Sequence, residues 1–264
     1  MIKIENISYK YESKIKALEN VTLEIKEGDL IAISGHQSAG KTTLAYHLNG
    51  LLIPNSGDVW IDKLNTKDKS KIYSIRQKVG LVFTNPENQL IGTTVEEDIA
   101  FGLENLKIKS SDIQTKVDKI LKFINMEDYK KSSPHLLSAG QKQLVAIAGV
   151  VVLEPKYLIL DDVTSLLDSV NRRKIIEYVL ELNRTLGITV VFITHSIEDA
   201  MKFNRIIFLK QGKIVLDTTP TQIINQPHLL QELNLEIPVI AKVTTLFKEI
   251  GLQLPVESII ERFN

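Results

Sequence analysis

Hydrophobic and polar positions alternate at the start of this chain and take other spacings further along it. Residues 2–9 and 18–25 alternate between apolar and polar side chains, which is the pattern of half-buried strands. Residues 30–34 form a short apolar run that ends in a glycine-rich turn, and a helical pattern follows at residues 41–52. The order of strand, turn and helix predicts one unit of an α/β fold.

The middle of the chain, from about residue 85 to residue 153, has the apolar spacing of helices. We predict strands at residues 79–83, 157–160, 189–193, 206–209 and 213–216. We predict helices at residues 95–103, 112–124, 141–153, 170–186 and 197–203. Apolar strands that alternate with helices indicate a mostly parallel sheet covered on both faces, so the helical middle is predicted to be an inserted subdomain.

Strand patterns stop after Thr219, and the remainder of the chain is interrupted by proline at positions 220, 227, 238 and 255. Because proline ends helices, this region is predicted to contain several short ones. We therefore predict a main domain over residues 1–218 and a C-terminal helical extension over residues 219–264.

Composition narrows the classes of function. The chain has 32 Lys+Arg and 32 Asp+Glu residues, and this balance argues against nucleic acid as the main partner. It has no cysteine, which excludes a disulfide framework and a catalytic thiol. The longest apolar stretch, residues 145–153, is shorter than the roughly 20 residues that a membrane span needs. Work at a membrane would therefore require another protein to hold the chain there.

The glycine-rich turn after the third predicted strand is the first candidate site. The pattern G-x-x-x-x-G-K-[ST] is matched by Gly35-His36-Gln37-Ser38-Ala39-Gly40-Lys41-Thr42, between a predicted strand and a predicted helix. Glycines let backbone N–H groups surround a phosphate, and the helix N-terminus adds a favourable dipole. We expect Lys41 on the β- and γ-phosphates and the Thr42 hydroxyl on Mg²⁺.

Two further candidates follow predicted strands. Asp161 and Asp162 end an apolar strand, at the edge where α/β sheets place their ligands, and Asp161 is expected to hold Mg²⁺. His195 follows residues 189–193 and is expected to face the γ-phosphate. A histidine at the end of a strand is also a common core residue, and this alternative stays open.

A second segment has the composition of an anion-binding helix start. It is Leu137-Ser138-Ala139-Gly140-Gln141, just before the predicted helix at residues 141–153. Read alone, it is an ordinary helix cap. One chain does not need two such corners for one phosphate, whereas a second chain needs one if the nucleotide lies between two subunits.

In this order and spacing, these elements resemble the nucleotide-binding domain of ABC transporters, over essentially the whole chain. Residues 35–43, which include Thr43, correspond to the Walker A motif, residues 137–141 to the signature and residues 158–162 to Walker B. Residues 165–168 correspond to the D-loop, with Asp168, and His195 to the switch histidine. The resemblance implies an ABC-type P-loop NTPase fold, ATP and Mg²⁺ as cofactors, and catalytic roles for Asp162 and His195.

The resemblance also implies contacts between subunits and with the base. Residues 137–141 are expected to contact the ATP of a partner subunit. Tyr11 stands where the family stacks an aromatic ring on adenine, although a tyrosine on a strand face explains it almost as well.

A closer resemblance is to the ATPase subunits of energy-coupling factor transporters. It is carried by NPENQL at 85–90, TVEEDIAFGLEN at 94–105, QKQ at 141–143, AIAG at 146–149 and ELNLEIP at 232–238. The resemblance implies a second ATPase chain, a transmembrane coupling protein and a substrate-binding membrane protein as partners. It further implies dimer contacts from the C-terminal extension, a peripheral location on the cytoplasmic face, and import of a vitamin or of cobalt or nickel ions.

Four positions depart from the family pattern. Thr84 stands where the family has the Q-loop glutamine, and Asp162 where it has a glutamate base. The loss of one methylene withdraws the carboxylate by about 1.5 Å, the length of one C–C bond. Ala139 replaces a signature glycine, and Leu144 replaces an arginine.

The binding residues Gly40, Lys41, Thr42 and Asp161 are intact, so we predict a chain that binds ATP well and hydrolyses it poorly. In a homodimer both sites would carry both kinds of defect, which favours a heterodimer with a better partner. Three alternatives stay open. They are a competent homodimer, a non-catalytic regulatory subunit that responds to nucleotide, and the ATPase of a different ABC transporter.

Overall fold

The computed structural model describes residues 1–12 and 15–249, and within this part of the chain the strands form two sheets. The strands are, in chain order, β1 (Ile2–Lys10), β2 (Lys16–Ile25), β3 (Leu30–Ser34), β4 (Ser56–Ile61), β5 (Leu64–Asn65), β6 (Val79–Val82), β7 (Tyr157–Asp161), β8 (Thr189–Ile193), β9 (Arg205–Lys210) and β10 (Lys213–Thr218). The helices are α1 (Lys41–Leu48), α2 (Ile72–Lys78), α3 (Val95–Asn105), α4 (Ser110–Phe123), α5 (Ala139–Val151), α6 (Ser169–Leu186), α7 (Ile197–Ala200), α8 (Pro220–Asn225), α9 (His228–Glu232) and α10 (Val239–Glu249).

The larger sheet has six strands in the order β10-β9-β3-β8-β7-β6. Strands β9, β3, β8, β7 and β6 are parallel, and β10 pairs antiparallel with β9. Strands β3, β7 and β8 are buried along their whole length, as a sheet covered on both faces requires. The prediction of a mostly parallel α/β sheet is confirmed.

The smaller sheet is antiparallel, in the order β2-β1-β4-β5, and the sequence pattern does not predict it as a separate layer. The pattern predicts β1 and β2, but Pro54, Asn55 and Gly57 make the start of β4 resemble a turn. Gly57 has a φ of 75°, and a Cβ there would lie 2.3 Å from the carbonyl oxygen of Glu5. The glycine that resembles a turn signal is therefore needed for close approach between two strands.

Two buried apolar clusters lie on opposite faces of the larger sheet. Successive strand residues contribute to one cluster and then to the other, as the pleat requires. Ala32 and Phe192 pack with helices α3, α5 and α6, whereas Ile33 and Ile193 pack with α1 and the smaller sheet. The sheet is thus held from both faces, which fixes the edge where β3, β7 and β8 end.

Helices α1, α3, α4, α5, α6 and α7 agree with the predicted ones except at some ends, whereas α2 is not among the predicted helices. Helix α1 is predicted to reach residue 52 but ends at Leu48, because Gly50 turns the chain with a φ of 68°. Helix α7 is predicted to reach residue 203 but ends at Ala200. Helices α3 and α5 begin at capping boxes formed by Thr94 and Ser138.

The helical middle of the chain consists of α3, α4 and α5, with α3 packed against both others. Helices α8, α9 and α10 lie in the predicted C-terminal extension, and its residues 250–264 lie outside the described residues. The boundaries 1–218, 85–153 and 219–264 stay predictions. None of the helices in the described part of the chain combines the length and the apolarity needed to cross a membrane.

Candidate functional site

The loop between β3 and α1 has the backbone that its glycines predict. Gly35 and Gly40 have φ angles of 145° and 102°. A Cβ on Gly35 would lie 2.1 Å from the carbonyl oxygen of Leu209, and one on Gly40 would lie 2.4 Å from that of Ala17. Neither position therefore accepts a side chain, and the loop closes tightly at the N-terminus of α1, where a phosphate is stabilised by N–H groups and the helix dipole.

Lys41 lies folded over this loop. Its Nζ donates hydrogen bonds to the carbonyl oxygens of Gly35 at 2.8 Å and His36 at 2.9 Å. The side chain is buried, and burial lowers the pKa of Lys41, although the charges of Asp162 and Asp161 oppose that shift. A desolvated ammonium on the inner side of a phosphate loop gains strongly from an anion placed beside it.

Asp161 ends β7 beside the first residues of α1. Its Oδ1 accepts a hydrogen bond from the Thr42 hydroxyl at 3.0 Å. Burial and the neighbouring charge of Asp162 raise the pKa of the Asp161 carboxyl to about 6, against the opposing effects of Thr42 and Lys41. A carboxylate and a hydroxyl side by side are the hard oxygen donors that Mg²⁺ takes together with nucleotide phosphates and water. The residues present therefore fit the predicted metal.

Asp162 and His195 form a pair at the same edge of the sheet. The parallel register aligns Asp161 with Ile193, so that the residues after β7 and β8 emerge side by side. Nδ1 of His195 lies 3.1 Å from Oδ1 of Asp162, and Asp162 adopts a left-handed φ of 53°. About half of the His195 side chain is exposed. The pair combines a carboxylate and an imidazole at a point open to a ligand.

Thr84 follows β6, the neighbour of β7, and is brought to the same region. Its hydroxyl donates a hydrogen bond to the main-chain oxygen of Asp161 at 2.8 Å. Gln89 lies close by, where its Oε1 accepts from the Phe83 N–H at 2.8 Å. The Thr84 side chain is thus held by the backbone of the strand that carries Asp161.

The phosphate loop, Asp161, Asp162 and His195 surround a cavity of about 830 Å³. Residues 35–43 line it, together with Tyr11, Asp161, Asp162 and His195, all of which the sequence analysis had selected. The Tyr11 hydroxyl lies 3.1 Å from Oγ1 of Thr43, and the Tyr11 ring meets the ring of Tyr9 edge-on. The volume is in the range of pockets that bind small ligands.

One side of the cavity is formed by residues that were not among the predicted site residues. Leu235 and Glu236, from the C-terminal extension, line it next to the phosphate loop. The only available signal was the position of these residues in ELNLEIP, which carries no chemical motif. Contact with a loop about 200 positions away along the chain is decided by the tertiary structure.

The segment at residues 137–141 lies elsewhere, since none of its five residues lines the cavity. Ser138 caps α5 by accepting a hydrogen bond from the Gln141 N–H, and the Gln141 side chain accepts one from the Ser138 N–H. Asp168 caps α6 in a similar way by accepting from the N–H groups of Val170 and Asn171. These backbone hydrogen bonds, with the Asn171 amide, lower the pKa of Asp168. Ser138, Ala139 and Asp168 are exposed, which leaves them accessible to another protein chain.

A comparison with protein families matches residues 18–165 to the family described as ABC transporter. The chain is 44% identical over 243 residues to the energy-coupling factor transporter ATP-binding protein EcfA1 of Clostridium novyi, which covers 90% of this chain and 86% of that protein. It is 43% identical over 257 residues to the corresponding EcfA protein of Methanosarcina acetivorans, with coverage of 97% and 93%.

Solved structures give the same result. The chain superposes with a TM-score of 0.80 and 35% identity on cbiO1 from Clostridium perfringens, part of the ABC transporter complex cbiONQ, over 92% of this chain and 97% of that one. It superposes with a TM-score of 0.76 and 33% identity on the ATP-binding cassette MJ0796, over 83% of this chain and 99% of that one. The MJ0796 structure is a dimer in a post-hydrolysis state bound to ADP and Pi.

Proposed function

Because this chain belongs to the ABC transporter family, and within it to the ATP-binding subunits of energy-coupling factor transporters, we propose that it supplies the weaker half of a heterodimeric ATPase. The transporter would take up a vitamin or a cobalt or nickel ion. The observation that carries the proposal is the contrast between residues that meet at one edge of the larger sheet. The groups that bind nucleotide, Lys41, Thr42 and Asp161, are intact and mutually oriented, whereas Thr84 and Asp162 are shortened.

Binding follows from the phosphate loop. The N–H groups of residues 35–42 surround the β- and γ-phosphates, and the Lys41 ammonium neutralises their charge. Thr42 and Asp161 would hold Mg²⁺, which would supply positive charge beside the phosphates. The 3.0 Å hydrogen bond between these two side chains places both oxygens at one point beside the loop.

Hydrolysis depends on Asp162 and His195. A general base must lie within about 2.6–3.2 Å of the water that it activates, and correct placement contributes roughly 10²–10⁴-fold to the rate. Asp162 is one methylene shorter than the glutamate of the family, and its carboxylate is already 3.1 Å from the His195 ring. A carboxylate with a shorter reach and an engaged oxygen supports slow turnover at this site.

Thr84 supports the same conclusion. A glutamine at this position would reach from the end of β6 towards the metal and the attacking water. The threonine hydroxyl instead donates to the main-chain oxygen of Asp161. The chain therefore has fewer groups to hold the attacking water in line, and positioning is the main part of catalysis in phosphoryl transfer.

The assembly explains how such a chain works in a transporter. The segment at residues 137–141, in which Ser138 and Ala139 are exposed, would complete the site of a second ATPase chain, whose own signature would complete this one. In a heterodimer, the Asp162 and Thr84 departures affect one site, and Ala139 affects the other. A transmembrane coupling protein and a substrate-binding membrane protein are the remaining partners, and they hold the pair at the cytoplasmic face of the membrane.

The test is steady-state ATP hydrolysis by the purified chain over a range of protein concentrations, with Asp162→Glu measured beside it. We expect tight ATP binding and slow turnover, which Asp162→Glu raises modestly because Thr84 still lacks the reach of glutamine. Fast turnover that rises with the square of concentration would show a competent homodimer and overturn the proposal. Tight binding with no turnover, alone and with the partner, would instead favour a regulatory subunit.

A further inference from the structure

A short segment of the C-terminal extension, residues 233–236, lies against the phosphate loop, and we call it the strap. Two of its residues, Leu235 and Glu236, line the nucleotide cavity. Leu235 is buried and joins the large apolar cluster under the sheet, whereas Asn234 and Glu236 are exposed. The strap thus has one anchored side chain between two residues at the surface of the cavity.

Two side chains fasten the strap, and a third fastens the chain just beyond it. Nζ of Lys210, at the end of β9, donates to the carbonyl oxygen of Leu233 at 2.7 Å. Nε2 of His36 donates to the carbonyl oxygen of Asn234 at 3.0 Å. Just beyond the strap, the N–H of Val239 donates to Oε1 of Glu198 at 2.8 Å. One of these anchors belongs to the nucleotide site, since His36 lies in the phosphate loop, and Glu198 lies in α7, the helix that follows His195.

The contact with His36 connects the strap to Lys41. The His36 ring is bonded to the strap, while the carbonyl oxygen of His36 accepts a hydrogen bond from Nζ of Lys41. A shift of the strap therefore moves the residue that orients the phosphate-binding lysine. Binding is tighter where a loop is already ordered, because less conformational freedom is lost when the ligand arrives.

The backbone of Asn234 is what aims its carbonyl at His36. Asn234 has a left-handed φ of 52°, which asparagine and glycine tolerate and β-branched residues do not. The N–H groups of Asn234 and Leu235 donate to the carbonyl oxygens of Gln231 and Leu230, so the turn is also fixed from the side of α9. The strap is therefore a turn held by backbone hydrogen bonds, and its conformation at Asn234 is specific.

We propose that residues 233–236 are a positioning element of the nucleotide site, through which ATP binding and the docking of the C-terminal extension reinforce each other. The proposal rests on the function proposed above, because it requires ATP at this loop. Coupling between two sites is reciprocal, so if the strap raises the affinity for ATP, then ATP must stabilise the strap by the same factor.

The experiment uses two variants of one exposed residue. Asn234→Gly keeps the left-handed turn and the carbonyl, whereas Asn234→Val disfavours that turn and redirects the carbonyl away from His36. We expect Asn234→Val to weaken binding of a fluorescent ATP analogue about fivefold, the worth of about one hydrogen bond, and Asn234→Gly to stay near the wild type. Lys210→Met, which frees the Leu233 carbonyl, should resemble Asn234→Val.

The second measurement is hydrogen exchange of the amides of residues 228–245 with and without ATP and Mg²⁺. A purely structural strap would show the same protection in both conditions. We expect ATP to slow exchange there in the wild type and in Asn234→Gly, and to have little effect in His36→Phe, which keeps a ring but cannot donate.

The outcomes separate the two proposals. Equal affinity of Asn234→Val and Asn234→Gly, or protection that ATP leaves unchanged in the wild type, would overturn the strap while ATP binding itself stands. A wild-type chain that does not bind the ATP analogue would overturn the proposed function and the strap with it. Weaker binding by Asn234→Val, together with ATP-dependent protection of the strap, would support both.

Discussion

The phosphate loop and the signature segment differ in their surroundings, because only the phosphate loop lies in a cavity formed by its own chain. Lys41 and Thr42 line a cavity, where Lys41 donates to two carbonyl oxygens of its own loop and Thr42 donates to Asp161. The signature residues Ser138 and Ala139 are exposed at the start of α5, away from that cavity. Both are helix N-termini that suit an anion, but only the first has a complete pocket around it. We therefore propose that the second serves a nucleotide held by another chain.

We expect the largest effect, a loss of ATP affinity, from a substitution in the phosphate loop. Lys41→Met removes a buried ammonium that pairs with the phosphates, so we expect ATP affinity to fall roughly 30-fold or more. The matched control is Lys119→Met, which removes the same charge from an exposed position on α4. Equilibrium binding of a fluorescent ATP analogue measures both. Equal affinities would contradict the assignment of this loop.

The next effect separates chemistry from binding. Asp162→Asn removes the base, and we expect turnover at this chain's own site to drop roughly 10²–10⁴-fold, in an assembled complex whose partner ATPase carries its own phosphate-loop lysine as methionine. Single-turnover hydrolysis measures it free of product release. Asp162→Glu combined with Thr84→Gln should exceed either single change, because the two side chains act on the same water. If the double variant turns over no faster than the wild type, these two positions do not limit hydrolysis.

A smaller effect is expected on the signature side. Ala139→Gly restores the residue of the family pattern, and we expect it to raise ATP turnover several-fold in a complex with the partner ATPase. The gain should disappear when the partner carries its own phosphate-loop lysine as methionine, since the signature acts on that ATP. A gain that persists in this mutant complex would place the signature's effect on this chain's own site.

The smallest effect concerns stability. Ser138→Ala and Thr94→Ala each remove the side chain of a capping box, at the start of α5 and of α3 respectively. Both should lower the free energy of unfolding by about 1 kcal/mol, measured by urea denaturation. Ser138→Ala alone should also lower turnover of the assembled complex. A matching loss in Thr94→Ala would mean that reduced stability explains the effect.

Much of the site is readable from local sequence. The glycine and lysine spacing of the phosphate loop predicts its backbone, because Gly35 and Gly40 occupy positions where a Cβ would collide with neighbouring carbonyl groups. The buried strands β3, β7 and β8 are predicted because continuous apolar runs fit only a sheet covered on both faces. The resemblance to the ABC family and to energy-coupling factor ATPases, drawn from the same motifs, is confirmed by the comparisons.

Two features of the fold could not be predicted from local sequence patterns, namely the separate antiparallel sheet and the end of α1. The separate antiparallel layer was not predicted, since Gly57 has the same sequence signal in a turn and at a close crossing of strands. The early end of α1 at Leu48 depends on the backbone of Gly50. A glycine permits backbone conformations that other residues avoid, and the tertiary contacts determine which of these conformations is adopted.

The sequence by itself determined which residues we assign to phosphate and metal, because that chemistry resides in a loop of consecutive residues and in the acid at the end of one strand. The tertiary structure alone decided which of these residues meet. Asp162 reaches His195 because β7 and β8 lie side by side in parallel register, and His36 reaches Asn234 because the chain returns to the phosphate loop after 198 residues. Such contacts depend on how the sheet is ordered and how the extension packs against it, and no local run of residues specifies either.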